Sequence, residues 1–403
     1  MEKKKLTINS ISRQAIGNWF IIAGILIITT LEWHFFDWYQ SFTKYGTLIT
    51  FVALVGAFFC YVDIKDAIKD KFVWLMGITD VIALVNLFII KSNKGCILII
   101  ADFMLILYLA DKVTFSYKES LVVLCYVAFF FIYWTVDVKG YFKGYNTNYG
   151  GLILITGFAC LMILMQLLHE KKVEEYGRFI GEFGKAEGRR SFLKRNWWFP
   201  IAHIFLIALA FNIISWYRSR TALMGLLVLL AILFIPSKII MNKMVYSEAC
   251  VLATVGSVAF SGLYILLGGL NSGEGIQLFY KDVISGRNEI WGELWYAFLE
   301  KPITGIGSSY EMKLDYMSGM LEAHSAMMDI LVIHGIIVFV LLCGFLLYRL
   351  IKIRERLSVS RTGKAVFAAI ICMLVTGFFE NFYIVQPFSL ILLSLFTIRV
   401  ENN

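Results

Sequence analysis

Charged side chains and proline are scarce in this chain, and that shortage sets its class before any motif is read. Only 16% of the 403 residues are charged and four are proline, against 59% hydrophobic. Soluble domains carry about a quarter of their residues as charges, so a soluble globular fold is excluded. The seven cysteines (Cys60, Cys96, Cys125, Cys160, Cys250, Cys343, Cys372) all fall in or beside apolar runs, where a thiol behaves as a small hydrophobe. Their spacing matches neither a zinc site nor a disulfide framework. Internal repeats and low-complexity segments are missing as well, which argues against a solenoid or a disordered tail.

In their place stands hydrocarbon-soluble sequence, with a mean hydropathy of +0.74. Apolar runs of roughly 15 to 22 residues recur, close to the ~20 needed to cross a hydrocarbon core of ~30 Å. They are centred near Ile25, Val55, Ala83, Leu105, Ala128, Leu161, Ile207, Val228, Val258, Ile337, Ile371 and Leu392. The expected fold is all-α, a single membrane domain over 1–403 with about twelve transmembrane helices. The first run is long and no small-residue cleavage site follows it, so it reads as a span rather than a secretory signal.

Basic residues give the orientation, because Lys and Arg in short loops are retained on the cytoplasmic side. Most of the 37 Lys and Arg fall in alternate loops, above all 1–13, 63–71, 169–195 and 349–364. Both termini are therefore expected in the cytoplasm. The net charge of +8 is spread over these loops by the same bias. Nucleic acid is accordingly not an expected partner. The longest basic loop, 169–196, mixes Glu174, Glu175, Glu182 and Glu187 with its cations and reads as a solvated, partly helical connector.

One polar stretch of different character, 268–325, separates the ninth and tenth apolar runs and is expected to face outward. Trp291, Trp295, Tyr296 and Phe298 have helical spacing there, which predicts a short amphipathic helix from about Glu289 to Leu299 lying at the membrane interface. Pro302, Gly305 and Gly307 would end it and turn the chain back. The stretch also carries Arg287, within Ser-Gly-Arg-Asn-Glu-Ile-Trp, and His324 where the next apolar run begins. An earlier outward loop holds Arg218 and Arg220 just before Thr221-Ala222-Leu223. A guanidinium is permanently charged and forks its donors, which suits phosphate oxygens. A helix beginning near Thr221 would add backbone N–H groups to an anion site, although a lipid-headgroup anchor explains the pair as well. A histidine with unperturbed pKa near ~6.5 can take a proton from an attacking hydroxyl at neutral pH. His203 and His334 read as packed helix histidines. Asp102 and Glu380, near the outer ends of their runs, could line the same cavity, while Asp80 and Asn86 could pair across helices.

Arg220-Thr-Ala-Leu after a span, then Ser285-Gly-Arg-Asn-Glu-Ile-Trp291, Lys301-Pro302 to Gly305-Ile-Gly307, and Ala323-His324 leading to His334-Gly335 resemble the O-antigen ligase and Wzy-type polysaccharide polymerase superfamily. The resemblance covers 215–345. It departs at Ser325, where many members carry Asn, and at Ile337 and Val338, where a Gly is common. It implies a membrane glycosyltransferase similar in fold to the GT-C class, needing neither cofactor nor metal. Such an enzyme moves a glycan from undecaprenyl diphosphate to an acceptor hydroxyl in a bacterial cytoplasmic membrane. By the same resemblance Arg220 and Arg287 bind the diphosphate and His324 is the catalytic base, with Arg218 a neighbour. Glu322, Tyr280, Tyr310 and Trp291 are candidate sugar contacts. The implied partners are the lipid-linked glycan, membrane lipid, a flippase and a chain-length regulator. A polymerase leads; a ligase would differ only in its acceptor. A transporter of the same glycan is the reading of another class, and it would place its charges near the midplane with inverted repeats, neither of which is visible.

Overall fold

The computed structural model describes residues 7–34, 43–90, 94–136, 147–183, 197–270, 277–278, 281–282, 286–314 and 323–398. Its helices in chain order are α1 (Thr7–Trp33), α2 (Thr43–Tyr61), α3 (Lys71–Ile90), α4 (Lys94–Leu109), α5 (Tyr117–Val136), α6 (Thr147–Phe183) and α7 (Trp198–Trp216). They continue with α8 (Arg220–Phe234), α9 (Lys243–Thr254), α10 (Gly256–Leu270), α11 (Arg287–Glu300), α12 (Ala326–Lys352), α13 (Arg361–Thr376) and α14 (Phe388–Thr397). Single turns at Ile64–Ala67, Ser237–Ile240 and Arg354–Leu357 connect some of them, and Gln277–Leu278 pairs antiparallel with Lys281–Asp282.

Every hydropathy centre lies on one of these helices. Among the described residues, six helices are both long and apolar enough to cross a membrane, and seven if α9 and α10, bent by 57° at Val255, are one span. The protein is thus helical and polytopic. The remaining centres sit on shorter apolar helices, α2, α4, α8 and α14, and on α13. Length and hydropathy together thus support six or seven of the twelve expected spans among the described residues.

The chain divides into two compact units. One holds α1 to α4, the start of α5, most of α9, α10 to α12, the end of α13, and α14; the other holds the rest of α5, α6 to α8 and most of α13. Local sequence explains several helix starts. Ser116 and Glu119 form a capping box before α5, Ser116 N–H donating to Glu119 Oε2 at 2.7 Å and Glu119 N–H to Ser116 Oγ at 3.3 Å. At the start of α3, Asp70 Oδ1 accepts from Phe72 N–H.

In the first unit α12 is a core helix, and its break at Gly335 (φ 84°) is the feature that positions the polar segment after α11. A break frees backbone groups that must find partners away from water. Val332 O accepts from Ile306 N–H at 2.8 Å, Ile333 O from Gly307 N–H at 3.2 Å, and Ile336 N–H donates to Pro302 O at 2.8 Å. Asn86 Nδ2, reaching across from α3, donates to His334 O at 3.0 Å. The expected interhelical role of Asn86 is therefore met through backbone. His334 itself is buried in α12, as a packed helix histidine should be.

At the other end of α12, Arg349 is 1% exposed and lies over the rings of Phe72, Phe345 and Tyr348. Its Nη1 is 3.0 Å from Asp111 Oδ2, and Lys352 Nζ binds both Asp111 oxygens at 2.6 and 2.8 Å. Burial works against the Asp111 carboxylate, but Lys352 and Arg349 outweigh it and hold its pKa below the usual carboxylate range. A depressed folded-state pKa contributes stability that is complete above the unfolded value near ~3.9 and is lost as pH falls through the folded value. The stability gap between the wild type and Asp111→Asn, read as unfolding midpoints in detergent, is expected to close below about pH 4. A gap that stays constant from neutral pH into that range would show that the carboxylate charge is not what holds these helix ends.

Candidate active site

The first unit brings together Arg287, His324 and Glu380. Arg287 opens α11, whose buried positions Arg287, Ile290, Trp291, Leu294, Ala297 and Phe298 follow helical spacing. The predicted amphipathic helix is present, one or two residues longer at each end than expected. Its apolar face packs on α10 and α12, while Tyr296 and Leu299 stay exposed. Gly286, at φ 75°, supplies the left-handed turn that aims the first residue of α11 inward. Arg287 is 8% exposed; its Nη2 donates to Glu380 Oε1 and to Phe379 O, each at 3.0 Å, and its guanidinium lies over the Phe379 ring at 5.6 Å.

His324 sits two residues before α12. Its Nδ1 is 3.6 Å from Glu380 Oε2, an electrostatic contact longer than a hydrogen bond. One carboxylate therefore faces the arginine with one oxygen and the histidine with the other. Two backbone contacts hold the histidine segment in place. Trp291 Nε1–H donates to Ala323 O at 2.6 Å, and Ala326 N–H to Gly377 O at 2.8 Å. The second bond ties the start of α12 to the turn after α13, and so carries Glu380 to the site. Beneath it, Phe260, Tyr264 and Trp291 surround the Phe379 ring.

Among the described residues, the non-glycine positions in left-handed backbone are Arg218 (φ 54°) and His324 (φ 46°). Both were singled out from sequence on other grounds. Such backbone costs energy in most residue types and gathers at functional sites.

Arg218 and Arg220 belong to the second unit. Ser219 between them is the N-cap of α8, its Oγ accepting from Ala222 N–H at 3.4 Å, so the helix begins one residue earlier than expected, at Arg220. Arg218 is exposed and Arg220 half-buried.

The four candidate sugar contacts divide. Tyr280 and Glu322 lie outside the described residues. Tyr310 donates its hydroxyl to Glu293 Oε1 at 3.0 Å, the same oxygen accepting Lys313 N–H at 2.7 Å. Burial first, then that carboxylate, pushes the Tyr310 phenol up to about 12, so it stays a donor. Trp291 is fully buried, with its indole N–H directed at Ala323. Trp291 thus holds the backbone beside His324, and Tyr310 shares the Glu293 carboxylate with the backbone of Lys313. Ser325, the departure from the family pattern, is the N-cap residue of α12, but its side chain gives no capping bond and its Oγ is buried without a hydrogen-bond partner. Asp102 is buried in α4, Oδ1 again without a hydrogen-bond partner, and Asp80 Oδ1 in α3 is in the same state.

Sequence reasoning offered Glu380 only as a carboxylate near an outer helix end. Its signal was the cost of burying a charge in an apolar run. Among the described residues no group of three or more His, Cys, Asp or Glu is placed to hold a metal ion. The arrangement offers a buried guanidinium for an anion and an imidazole beside a carboxylate, parts that a base-assisted group transfer could use.

Comparison with known proteins gives one family. No curated protein and no solved structure matches the chain. Residues 204–343 match the family model described as O-antigen ligase, a segment that contains Arg218, Arg220, Arg287 and His324 and stops short of Glu380. Over that segment the chain is similar to the O-antigen ligase family.

Proposed function

We propose that the protein is a polysaccharide polymerase that extends an undecaprenyl-diphosphate-linked glycan at the outer face of a bacterial cytoplasmic membrane. The observation that carries this reading is the meeting of Arg287 and His324 on the two oxygens of Glu380, within a chain of the O-antigen ligase type. A carboxylate beside Nδ1 favours the tautomer protonated there, which leaves Nε2 as the basic nitrogen. Nε2 takes the proton of the acceptor sugar hydroxyl as its oxygen attacks the anomeric carbon. The bond from that carbon to the diphosphate oxygen breaks with inversion, and the lipid diphosphate leaves with the electron pair. Arg287 stabilises the charge that builds on the diphosphate; a guanidinium has five N–H donors, enough to serve Glu380, Phe379 and a phosphate oxygen together. Arg220, with its neighbour Arg218, is assigned the same diphosphate chemistry from the family pattern at the start of α8. No cofactor is needed, because the diphosphate ester itself supplies the driving force. Tyr280 and Glu322 are kept as sugar contacts, whereas Tyr310 and Trp291 are assigned the support of the site's segments.

The match to the O-antigen ligase family favours one second reading, transfer of the glycan to a lipid or protein acceptor by a ligase. Complementation of a strain lacking the protein separates the two. At matched expression, His324→Ala and Arg287→Ala are expected to abolish long surface polymer while single lipid-linked repeat units accumulate at the outer leaflet. Full-length polymer made but left on its lipid would establish the ligase. Normal polymer from both variants would sink the catalytic assignment, and repeat units held at the inner leaflet would point to transport.

A further inference from the structure

The second unit contains a cavity of about 370 Å³ with mixed polar and apolar walls, Val173 and Val359 among them, that the proposed reaction does not use. It is lined by His169 and Glu170 of α6, Ser237 of the turn after α8, and Ser358, Ser360 and Arg361 at the start of α13. Its walls are tied to one another. Glu170 Oε1 accepts the backbone N–H of Arg361 at 2.5 Å and of Thr362 at 3.1 Å. Lys364 Nζ donates to Leu233 O at 2.7 Å and Ile235 O at 2.5 Å, closing the end of α8. Glu170 is thus occupied with the helix start; the Arg361 guanidinium is a cationic group of the lining, and the His169 ring lies beside it in the same lining.

The level of this cavity in the bilayer is legible. The apolar span Asn148–Glu174 turns polar at His169, and Lys171 and Lys172 follow. Lys172 Nζ lies 4.7 Å from the centre of the Trp198 ring at the start of α7, and His169 stacks on Phe199 at 4.3 Å. Interfacial tryptophan and lysine mark the headgroup layer. The same end of the unit carries Lys238, Arg354, Arg356 and Arg361, the cation-rich side that the positive-inside bias assigns to the cytoplasm.

We propose that this cavity binds the phosphodiester headgroup of an anionic phospholipid from the cytoplasmic leaflet, with Arg361 and His169 on the phosphate and serine hydroxyls on the glycerol side. Basic pockets between membrane helices on the cytoplasmic side take such headgroups. The preformed walls lower the ordering cost of binding. This assignment is independent of the reaction proposed above.

The test uses the full chain, purified in neutral detergent and placed in nanodiscs of phosphatidylcholine with or without phosphatidylglycerol. Lipid retained after re-extraction is measured by native mass spectrometry. The wild type is expected to retain phosphatidylglycerol over phosphatidylcholine, and Arg361→Gln to lower that retention about tenfold, as loss of a hydrogen bond to a charged group would. Ser237→Phe, which fills the cavity and leaves every cation in place, is expected to do the same. Displacement by millimolar inorganic phosphate would identify a free-phosphate site and overturn the lipid assignment. Equal retention of both lipids by the wild type, or retention unchanged in both variants, would also overturn it.

Discussion

Glu380→Gln is expected to cut glycan transfer at least a hundredfold while the protein still folds. The scale is that of a positioned general base, worth about 10² to 10⁴ in rate. Glutamine keeps the size of the side chain and an oxygen for Arg287 Nη2, but it removes the charge that faces both Arg287 and His324. Glu380→Ala is the less informative variant. It leaves the Arg287 guanidinium, 8% exposed, without its counter-charge, and breaking a buried pair costs about 3–5 kcal/mol in stability. In the proposed reaction Glu380 acts through its neighbours, so its loss is expected in kcat with little change in donor KM. The double variant Glu380→Gln/His324→Ala is then expected to be no slower than His324→Ala alone, since groups that act as one unit do not add. Multiplicative losses in the double variant would show that the carboxylate does its work apart from the histidine. Partial recovery in Glu380→Asp is the companion result.

Gly335→Ala is expected to abolish the accumulation of well-folded protein. Gly335 has φ 84°, and a Cβ there would collide with Ile303 O; a Cβ on Gly305 would collide with Ile333 O. Left-handed backbone costs a residue with a side chain roughly 1–2 kcal/mol, and each displaced backbone hydrogen bond about 1 kcal/mol. Three such bonds join 302–307 to the break in α12, so the loss is several kcal/mol, comparable with the whole stability of a domain. The control is Gly344→Ala in the same helix, where an added Cβ meets nothing within 4 Å. Size-exclusion profiles and unfolding midpoints of the two variants, side by side, check the argument. If Gly335→Ala runs as monodisperse and as stable as Gly344→Ala, the backbone junction does not hold this part of the fold.

The junction also explains a motif. Pro302 to Gly307 and His334-Gly335 read in sequence as a helix stop and an ordinary helix interior, and as family marks whose physical purpose was open. Together they are one backbone-to-backbone contact in which Val332 O, Ile333 O and Ile336 N–H find partners in 302–307. That contact fixes the segment leaving α11 against α12, and with it the helix that starts at Arg287 against the helix that follows His324.

Sequence by itself determined which segments are helical, because the cost of leaving an apolar side chain in water, and the benefit of closing its backbone bonds within a helix, are local to each run. It also marked Arg220 and Arg287, cations out of place in outward-reading loops, and His324, a proton acceptor at the start of the next apolar run. Only the tertiary structure decided the rest. That Glu380 meets Arg287 across 93 positions of sequence depends on where the turn at Gly377 docks. That Trp291 is buried and donates its indole N–H to Ala323 O depends on packing no composition reveals. Partners so far apart are chosen by packing among several helices at once, and a single chain's hydropathy has no term for that.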